Sequence, residues 1–79
     1  MSDFTIRIPR VSVAVAEATL LDFLVRDGER VEEGTPLFVV ETEKVETEIP
    51  AGASGTVEWT GAVGTTYPIG TVIGVIRVG

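Results

Sequence analysis

The sequence predicts an all-β fold of about eight short strands, a number typical of a sandwich or a barrel. Of its 79 residues, 44% are hydrophobic, and many of these are β-branched residues that favour strands. Nine glycines are spread along the chain and indicate frequent turns. Several short runs alternate apolar and polar residues with the period of two that half-buried strands show. A chain of this length has room for one small core, which must come from apolar packing because no disulfide can form.

The strand boundaries follow from this alternation and from the residues that interrupt it. The first strand, residues 4–8, alternates Phe4, Ile6 and Ile8 with polar residues and ends at Pro9. Residues 10–18 contain no turn-forming glycine and are predicted to be a loop. Glycine or proline bounds most of the later strands. These cover residues 19–26, a short segment from residue 31, and residues 37–41, 45–49, 56–60, 65–68 and 71–78.

An internal repeat underlies these strands. When the sequence is shifted by 36 residues, Gly28 aligns with Gly64 and Gly34 with Gly70. The same shift aligns further similar pairs, namely Leu21 with Val57, Phe23 with Trp59, Leu37 with Ile73, Val39 with Val75 and Val40 with Ile76. Such self-similarity indicates two copies of one supersecondary unit, although glycine-rich strands can also align by chance. Because one unit cannot bury its own apolar face, we expect the halves to pack about a pseudo-two-fold axis.

Strand alternation also predicts the core. The aromatic residues Phe23, Trp59 and Tyr67 need no ligand, since core or half-buried strand positions account for them. The expected core residues are Ile6, Ile8, Leu21, Phe23, Val31, Leu37, Val40, Val45, Ile49, Val57, Ile73 and Val75.

The composition excludes several classes of function. A formal net charge of −6 argues against nucleic acid or an anionic membrane as a partner, because both require clustered Lys and Arg. No apolar run approaches the length of a membrane span, and the first residues do not resemble a signal peptide. The chain has no Cys and no His, so the usual nucleophiles and proton shuttles are absent. The lack of Cys fits a reducing cytosolic setting.

Lys44 is the only lysine in the sequence and lies between two strand-like runs. In the second run, Val45, Thr47 and Ile49 share one face, and two glutamates occupy the other. The two runs predict a hairpin with Lys44 at its tip, although the Asn-Gly or Asp-Gly of a favoured two-residue turn is missing.

A lysine in a surface turn is usually only a solvated charge, and the glutamates around Lys44 could form an ordinary solvated face. Carboxylates nearby favour the charged ammonium form, so Lys44 is not expected to act as a Schiff-base or general-base lysine. We interpret it instead as a residue that another enzyme modifies.

These residues resemble the lipoyl domains of 2-oxo acid dehydrogenase complexes. The pattern of that family around its modified lysine is Glu-Thr-Asp-Lys-Ala, and this chain has Glu41-Thr42-Glu43-Lys44-Val45. The resemblance extends from Ile6 to Val78. Its other matching parts are Ile8-Pro9, Glu17-Ala18-Thr19, Asp27-Gly28 with Val31, Gly34 with Leu37, Val39-Val40, Ile49-Pro50-Ala51, Ser54-Gly55 and Gly64.

The resemblance implies that residues 1–79 form a single lipoyl-type carrier domain. Its fold would be a flattened β-barrel, or barrel-sandwich hybrid, of two four-stranded sheets. Lipoate would be joined to Lys44 by an amide, with Glu41, Thr42, Glu43 and Val45 as flanking recognition residues. The domain would not be an enzyme by itself, because acyl transfer through a thioester needs a thiol and here the cofactor supplies it.

The resemblance also implies the partners. These are a lipoate ligase or lipoyl transferase, a thiamine-diphosphate decarboxylase, an acyltransferase core and a dihydrolipoamide dehydrogenase. Many lipoyl domains carry an acidic residue in the loop after the first strand, where this chain has Ser12-Val13-Ala14, and this departure bears on which decarboxylase recognises it. We expect a monomeric domain in the cytoplasm, or in the mitochondrial matrix of a eukaryote. Which 2-oxo acid complex it serves, and whether it is free-standing or part of a longer acyltransferase, stay open.

Two alternatives share the fold. Biotin carrier domains resemble Met-Lys-Met at the hairpin, where this chain has Glu43-Lys44-Val45, so biotin is the runner-up. An unmodified structural adaptor is the other alternative, and the lone lysine at the predicted hairpin tip argues against it.

Overall fold

The computed structural model describes residues 3–11, 14–43 and 45–78. These residues form eight strands: β1 (Asp3–Arg7), β2 (Glu17–Phe23), β3 (Arg30–Val31), β4 (Pro36–Glu41), β5 (Glu46–Pro50), β6 (Gly55–Trp59), β7 (Thr66–Pro68) and β8 (Val72–Arg77). Within the same ranges, no helix is long and apolar enough to cross a membrane.

The strands form two antiparallel sheets of four strands each. Sheet A has the order β1-β8-β6-β3, and sheet B has the order β5-β4-β2-β7. The molecule measures 36 × 20 × 20 Å along its principal axes. The predicted all-β fold is therefore confirmed, as two flattened sheets rather than a closed barrel.

The two sheets repeat one another. In their strand orders, β1, β8, β6 and β3 of sheet A correspond to β5, β4, β2 and β7 of sheet B. The hydrogen bonds repeat as well: the Leu24 N–H donates to the Leu37 carbonyl, and the Thr60 N–H donates to the Ile73 carbonyl, both at 2.8 Å. The pseudo-two-fold relation predicted from the 36-residue shift is thus present in the backbone.

Matched glycines hold equivalent turns in the two halves. Gly28 and Gly64 have φ angles of 86° and 88°, and Gly34 and Gly70 have φ angles of 94° and 91°. A residue with a Cβ is strained at such angles, so the backbone itself selects glycine at these positions. The glycine alignment in the sequence therefore reports a shared turn geometry rather than chance.

The core lies between the sheets. It confirms the predicted positions Ile6, Ile8, Val31, Leu37, Val40, Val57 and Ile73, and it also contains Ala18, Leu20, Val25, Phe38, Ala51 and Ile76. The remaining predicted core residues are half-buried or exposed, and the strand pairing explains most of these differences.

Leu21 was assigned to the core, but Leu20 is the buried residue of β2. The pairing of β2 with β4 shifts between Leu20 and Asp22, which leaves Leu21 as an extra residue in a β-bulge. A bulge interrupts the alternation of faces, so counting by two along the whole strand selected the wrong leucine.

The same error affected β8, where Val75 was predicted in the core and Ile76 is buried instead. Gly74 pairs with Ile6 and Val72 with Arg7, so Ile73 is the extra residue. Alternation restarts after this bulge and directs Ile76 inward.

In β4, Leu37 is the extra residue, because Pro36 pairs with Pro50 and Phe38 pairs with Ile49. Both Leu37 and Phe38 are buried, and Phe38 was missed because consecutive strand residues normally point to opposite faces. Leu37 and Ile73 are 36 residues apart, so the repeat includes its bulge.

Val45 was also predicted in the core and is 50% exposed. It precedes β5, which begins at Glu46, and therefore lies in the turn and not between the sheets. Phe23 and Ile49 are only half-buried. Ile49 belongs to β5, an edge strand of sheet B, where one flank of the side chain stays open.

The predicted loop over residues 10–18 is too long. β2 begins at Glu17, because Glu17 and Ala18 pair with Pro68 and Tyr67 of β7. This pairing joins residues about 50 positions apart, so no local pattern could predict it.

Candidate functional site

β4 and β5 form a hairpin around the position of Lys44. Its last ladder pair is Glu41 with Glu46, and beyond it the Thr42 N–H donates to the Val45 carbonyl at 2.9 Å. Only Glu43 and Lys44 are left to connect the two sides. The predicted hairpin is therefore present, whereas Lys44 itself lies outside the described residues.

The backbone at Glu43 explains why the usual hairpin signal is missing. Turns of types I′ and II′ require a positive φ at the first central residue, which is why Asn or Gly is common there. Among the described residues, only glycines have positive φ, so Glu43 does not adopt either type. The absence of Asn-Gly is thus a property of the turn and no argument against the hairpin.

The flanking residues named from the sequence are accessible. Glu41, Glu43 and Val45 are exposed, and Thr42 is half-buried. The short connection is held at its base by the ladder and by the Thr42–Val45 hydrogen bond, so its flanks are fixed while facing solvent. Such a turn can enter the active site of another protein.

An open hollow of about 410 Å³ lies beside this turn. Its walls combine residues of the turn with residues of β2 and β7: Glu17, Ala18, Thr19, Glu41, Thr42, Glu43 and Thr66. The hydroxyls of Thr19 and Thr66 lie 2.8 Å apart and tie β2 to β7 at this wall. The hollow presents carboxylates and hydroxyls to any protein that approaches the turn.

Sequence reasoning did not assign Glu17, Thr19 or Thr66 to the site. The segment Glu17-Ala18-Thr19 is one of the parts of the sequence that resemble lipoyl domains, so this match could have assigned Glu17 and Thr19 to the site. Thr66 had no comparable signal, because only the pairing of β2 with β7 brings it to the turn.

The outer face of sheet B is acidic. Glu41 lies directly opposite Glu46, and like charges in this arrangement destabilise a sheet. By register, the other acidic residues of this face are Glu17, Asp22 and Glu48, and no arginine belongs to the strands of this sheet. No group of three or more potential metal ligands forms among residues 3–11, 14–43 and 45–78.

Sheet A, by contrast, neutralises its charges locally. Arg77 contacts Glu58 at 2.7 Å through Nε and Asp3 at 2.8 Å through Nη1. The hydrogen bond from Arg77 lowers the pKa of the Glu58 carboxyl below its ordinary value, and the same contact raises the pKa of Arg77. Within the two sheets, the acidic residues without a salt bridge therefore lie on the face of sheet B that leads into the turn.

The repeat also predicts that the two termini lie on adjacent strands and far from Lys44, and the described ends of the chain confirm the first part. β1 and β8 are neighbours, with Thr5 opposite Val75 and Asp3 opposite Arg77. The Phe4 ring packs on Gly52, which follows β5 at the end remote from the β4–β5 turn. The expected distance between Lys44 and the termini concerns a residue outside the described ranges and stays a prediction.

Two four-stranded sheets related by a pseudo-two-fold, with a short exposed hairpin turn, are the architecture of the lipoyl-type domains. The family model for "Biotin-requiring enzyme" matches residues 4–76, and the chain belongs to this biotin/lipoyl family.

Curated relatives and solved structures agree with this assignment. The succinyltransferase component of the 2-oxoglutarate dehydrogenase complex of Bacillus subtilis (strain 168) is 35% identical over 75 residues, which are 94% of this chain and 18% of that protein. The acetyltransferase component of the pyruvate dehydrogenase complex of Mycobacterium bovis is 40% identical over 52 residues, 66% of this chain and 9% of that protein. The chain thus spans less than a fifth of either relative.

The solution structure of the lipoyl domain of the 2-oxoglutarate dehydrogenase complex from Azotobacter vinelandii superimposes with a TM-score of 0.79 at 27% identity. The match covers 96% of this chain and 98% of that domain. The resemblance to lipoyl domains noted in the sequence is confirmed.

Proposed function

We propose that this chain is a carrier domain that is lipoylated on Lys44. In this role it shuttles acyl groups and reducing equivalents between the active sites of a 2-oxo acid dehydrogenase complex. One observation carries the proposal: the only lysine of the sequence occupies the two-residue connection of the β4–β5 hairpin, between the exposed residues Glu43 and Val45. Membership of the biotin/lipoyl family and the likeness to a lipoyl domain support it.

The residues present fit a covalently attached lipoyl group. An amide on a lysine requires an accessible amine on a turn that holds its shape, and the Glu41–Glu46 pair with the Thr42–Val45 bond fixes the base of this turn. The attached group would supply the cyclic disulfide, a dithiolane, that accepts an acyl group together with an electron pair, since the chain has no Cys. The protein's own contribution is presentation and recognition.

The proposed partners follow from the same role. A lipoate ligase or lipoyl transferase would modify Lys44, reading Glu41, Thr42, Glu43 and Val45 beside it. The modified domain would visit a thiamine-diphosphate decarboxylase, an acyltransferase core and a dihydrolipoamide dehydrogenase. The acidic face of sheet B favours partners with basic surfaces around their active-site entrances, because complementary charge increases the rate of productive encounter.

A biotin carrier is the second candidate, because the matching family model is described by biotin-requiring enzymes. Against it, Glu43 and Val45 stand where biotin domains resemble methionines. The two candidates differ in the group that is attached to the same lysine, so one experiment separates them.

The test incubates the 79-residue chain with a lipoate ligase, ATP and lipoate, and in parallel with a biotin ligase, ATP and biotin. Intact mass and peptide mapping then report the modification. We expect one lipoyl group, located on Lys44, and no biotin. Lys44→Arg, which keeps the charge but removes the amine, should stay unmodified, and an unmodified Lys44 in the first incubation would disprove the proposal.

Two further variants test whether the ligase recognises the position of the lysine or the charge of its neighbours. Glu43→Lys combined with Lys44→Glu moves the amine by one residue and turns it to another direction, so we expect poor modification. Glu46→Gln removes a nearby charge without moving Lys44 and should be modified normally. Equal modification of both variants would contradict recognition by geometry.

A further inference from the structure

β1 is an open edge strand of sheet A. The four edges of the two sheets are β1 and β3 in sheet A and β5 and β7 in sheet B. β3 and β7 contain only two and three residues, whereas β1 and β5 contain five each. Edge strands expose unpaired N–H and C=O groups, and natural proteins usually protect them.

The backbone groups that β1 directs outward can be identified. The Ile8 N–H donates to the Thr71 carbonyl at 2.9 Å, and the Ile8 carbonyl accepts from the Gly70 N–H at 2.8 Å, so the backbone of Ile8 faces the β8 side. Backbone direction alternates along an antiparallel strand. Asp3, Thr5 and Arg7 therefore direct their N–H and C=O groups away from β8, where no described strand pairs with them.

β5 corresponds to β1 in the other sheet, and it is protected. Ala51 makes the bonds that Ile8 makes, donating to the Thr35 carbonyl and accepting from the Gly34 N–H, both at 2.8 Å. By alternation, Pro50 then faces outward, and it has no N–H to offer. An antiparallel pair of two β5 strands would also place Glu48 against Glu48, a repulsive pair.

The sequence of β1, Asp3-Phe4-Thr5-Ile6-Arg7, complements itself when it runs antiparallel to a copy of itself. With Thr5 opposite Thr5, each Asp3 lies opposite Arg7 of the second copy, and each Phe4 lies opposite Ile6. We propose that β1 is a self-association edge, through which two copies of this chain pair about Thr5 and join their A sheets into one continuous sheet.

The side chains support this register. Asp3, Thr5 and Arg7 are the residues with outward backbone groups, so in this register they exchange backbone hydrogen bonds while Asp3 and Arg7 pair their charges. Phe4 is 41% exposed, beside an apolar hollow of about 320 Å³. Pairing would bring β1 of the second copy against this exposed ring. Pro9, the next outward residue, limits the pairing to β1.

We expect the association of the two copies to be weak. An interface of one five-residue strand falls below the roughly 1,200 Å² of stable complexes. Arg7 must also release its 3.0 Å hydrogen bond to the Gly70 carbonyl to reach Asp3 of the second copy. The β5 strands of both copies lie on the same side of the pair, so their exposed Glu46 and Glu48 repel. The chain is therefore monomeric when dilute and pairs when concentrated.

Charge variants test the register by sedimentation velocity at protein concentrations up to about 1 mM. Arg7→Asp alone gives two acidic pairs, and Asp3→Arg alone gives two basic pairs, so each variant should remain monomeric. Asp3→Arg also removes the contact with Arg77, so its amide spectrum must first show that β1 still pairs with β8. An equimolar mixture of the two restores both opposite-charge pairs and should form a heterodimer. Glu48→Gln, on the other long edge, should leave association unchanged or strengthen it. A wild-type chain that stays monomeric throughout, or a mixture that does not pair, would overturn the proposal.

Amide exchange gives a readout at single residues and detects folding defects. On concentration, exchange at the Thr5 and Arg7 amides should slow several-fold, whereas the Phe4 and Ile6 amides, already bonded to β8, should not change. Thr5→Pro removes an outward N–H without breaking the β1–β8 ladder, so it should keep the fold and abolish pairing. Concentration-dependent protection spread over other strands would indicate nonspecific aggregation and would refute β1 pairing.

Discussion

Gly74 has no side chain at a position where its counterpart in the other half, Phe38, fills the core with a ring. A Cβ at Gly74 would lie 2.7 Å from the Glu58 carbonyl oxygen and 2.9 Å from the Trp59 indole. Trp59 stacks on Phe23 at 4.1 Å between ring centroids and meets Phe38 edge-on at 6.0 Å. One half thus has an aromatic ring at position 38, whereas the other has glycine at the equivalent position 74. The missing side chain of Gly74 leaves room for the indole of Trp59.

Gly74→Ala should destabilise the fold by about 1–3 kcal/mol, the usual cost of overpacking a core. The backbone oxygen of Glu58 cannot move aside without disturbing the pairing of β6 with β8. Gly52→Ala is the matched control, because the nearest atoms to its Cβ would be those of the Phe4 ring, which is 41% exposed and can rotate away. The control should change stability by no more than about 0.5 kcal/mol. Urea denaturation measures both, and equal midpoints for the two variants would contradict the packing argument.

Glu58 should make stability depend on acid pH. The Arg77 hydrogen bond chiefly lowers its folded-state pKa from 4.5, the Arg77 charge adds to this, and partial desolvation opposes it. A lowered pKa stabilises the fold above pH 4.5, and this contribution is lost as pH falls through the folded value. Both side chains are about half exposed, at 47% and 54%, so the effect is small and salt screens it.

Glu58→Gln tests this coupling, because it mimics the protonated carboxyl. The difference in unfolding free energy between the wild type and Glu58→Gln should be constant near neutral pH. It should shrink as pH falls below 4.5. Chemical denaturation at low salt across this pH range measures it. A difference that is the same at neutral and strongly acid pH would show that the Arg77 contact does not act through the ionised carboxylate.

At the scale of strands, most of the fold could be predicted from alternation, glycines and the repeat, and the bulges account for most of the errors. Alternation holds within each uninterrupted stretch, as Thr47 and Ile49 of β5 show. It fails at Leu21 and Ile73, because an extra residue on one strand reverses the faces that follow. Nothing local in the sequence marks a bulge, since it exists only in the pairing of two strands.

The candidate site, like the fold, could be predicted in part: its local features could be predicted, and those that depend on strand pairing could not. The hairpin and its exposed acidic flanks could be predicted, because they are local in sequence and carry the only lysine. The hollow beside the turn could not, since Thr19 and Thr66 meet through the pairing of β2 with β7. Val45 was misplaced because the period-two count included a residue of the turn that lies before the start of β5.

The bulge residue Leu37 should be essential for stability although it interrupts the ladder. It is 1% exposed, so Leu37→Ala should cost about 2–5 kcal/mol. A net stability of about 5–15 kcal/mol makes this a large loss. Val45→Ala is the contrasting variant, since the side chain is 50% exposed and should matter by no more than about 0.5 kcal/mol. Thermal unfolding compares them, and a similar loss from both would mean that Val45 contributes to the core after all.

For the whole molecule, the pseudo-two-fold explains why a carrier can be tethered without obstructing its turn. The pair Asp3–Arg77 in sheet A corresponds to Glu46–Glu41 in sheet B, so the β8–β1 pair repeats the β4–β5 hairpin with its turn left open. The described ends of the chain, Asp3 and Arg77, therefore occupy the place that Glu46 and Glu41 occupy at the base of the turn in the other half. From this symmetry we expect a linker at either terminus to lead away from the turn.

This correspondence predicts that a second modifiable turn can be built. A circular permutant would join Arg77 to Asp3 through the residues Thr-Glu-Lys-Val and open the chain between Ala62 and Val63, which are both exposed. We expect it to fold, because the new connection spans a strand pair equivalent to Glu41–Glu46. The natural turn lies beside Glu41 and Thr66, whereas the new lysine would lie beside the equivalent residues Arg77 and Arg30. The two lysines would therefore have the same turn in surroundings of different charge.

If the attachment enzyme reads the geometry of the turn, a lipoate ligase should add two lipoyl groups to this permutant. Intact mass reports the number, and peptide mapping reports the positions. The control permutant, joined through Thr-Glu-Arg-Val, should accept one group, on Lys44. Amide spectra establish that both permutants are folded. A folded permutant modified only on Lys44 would show that the turn is not sufficient and that its surroundings, either the charges or the hollow, are also recognised. The proposal of recognition by geometry alone would then be rejected.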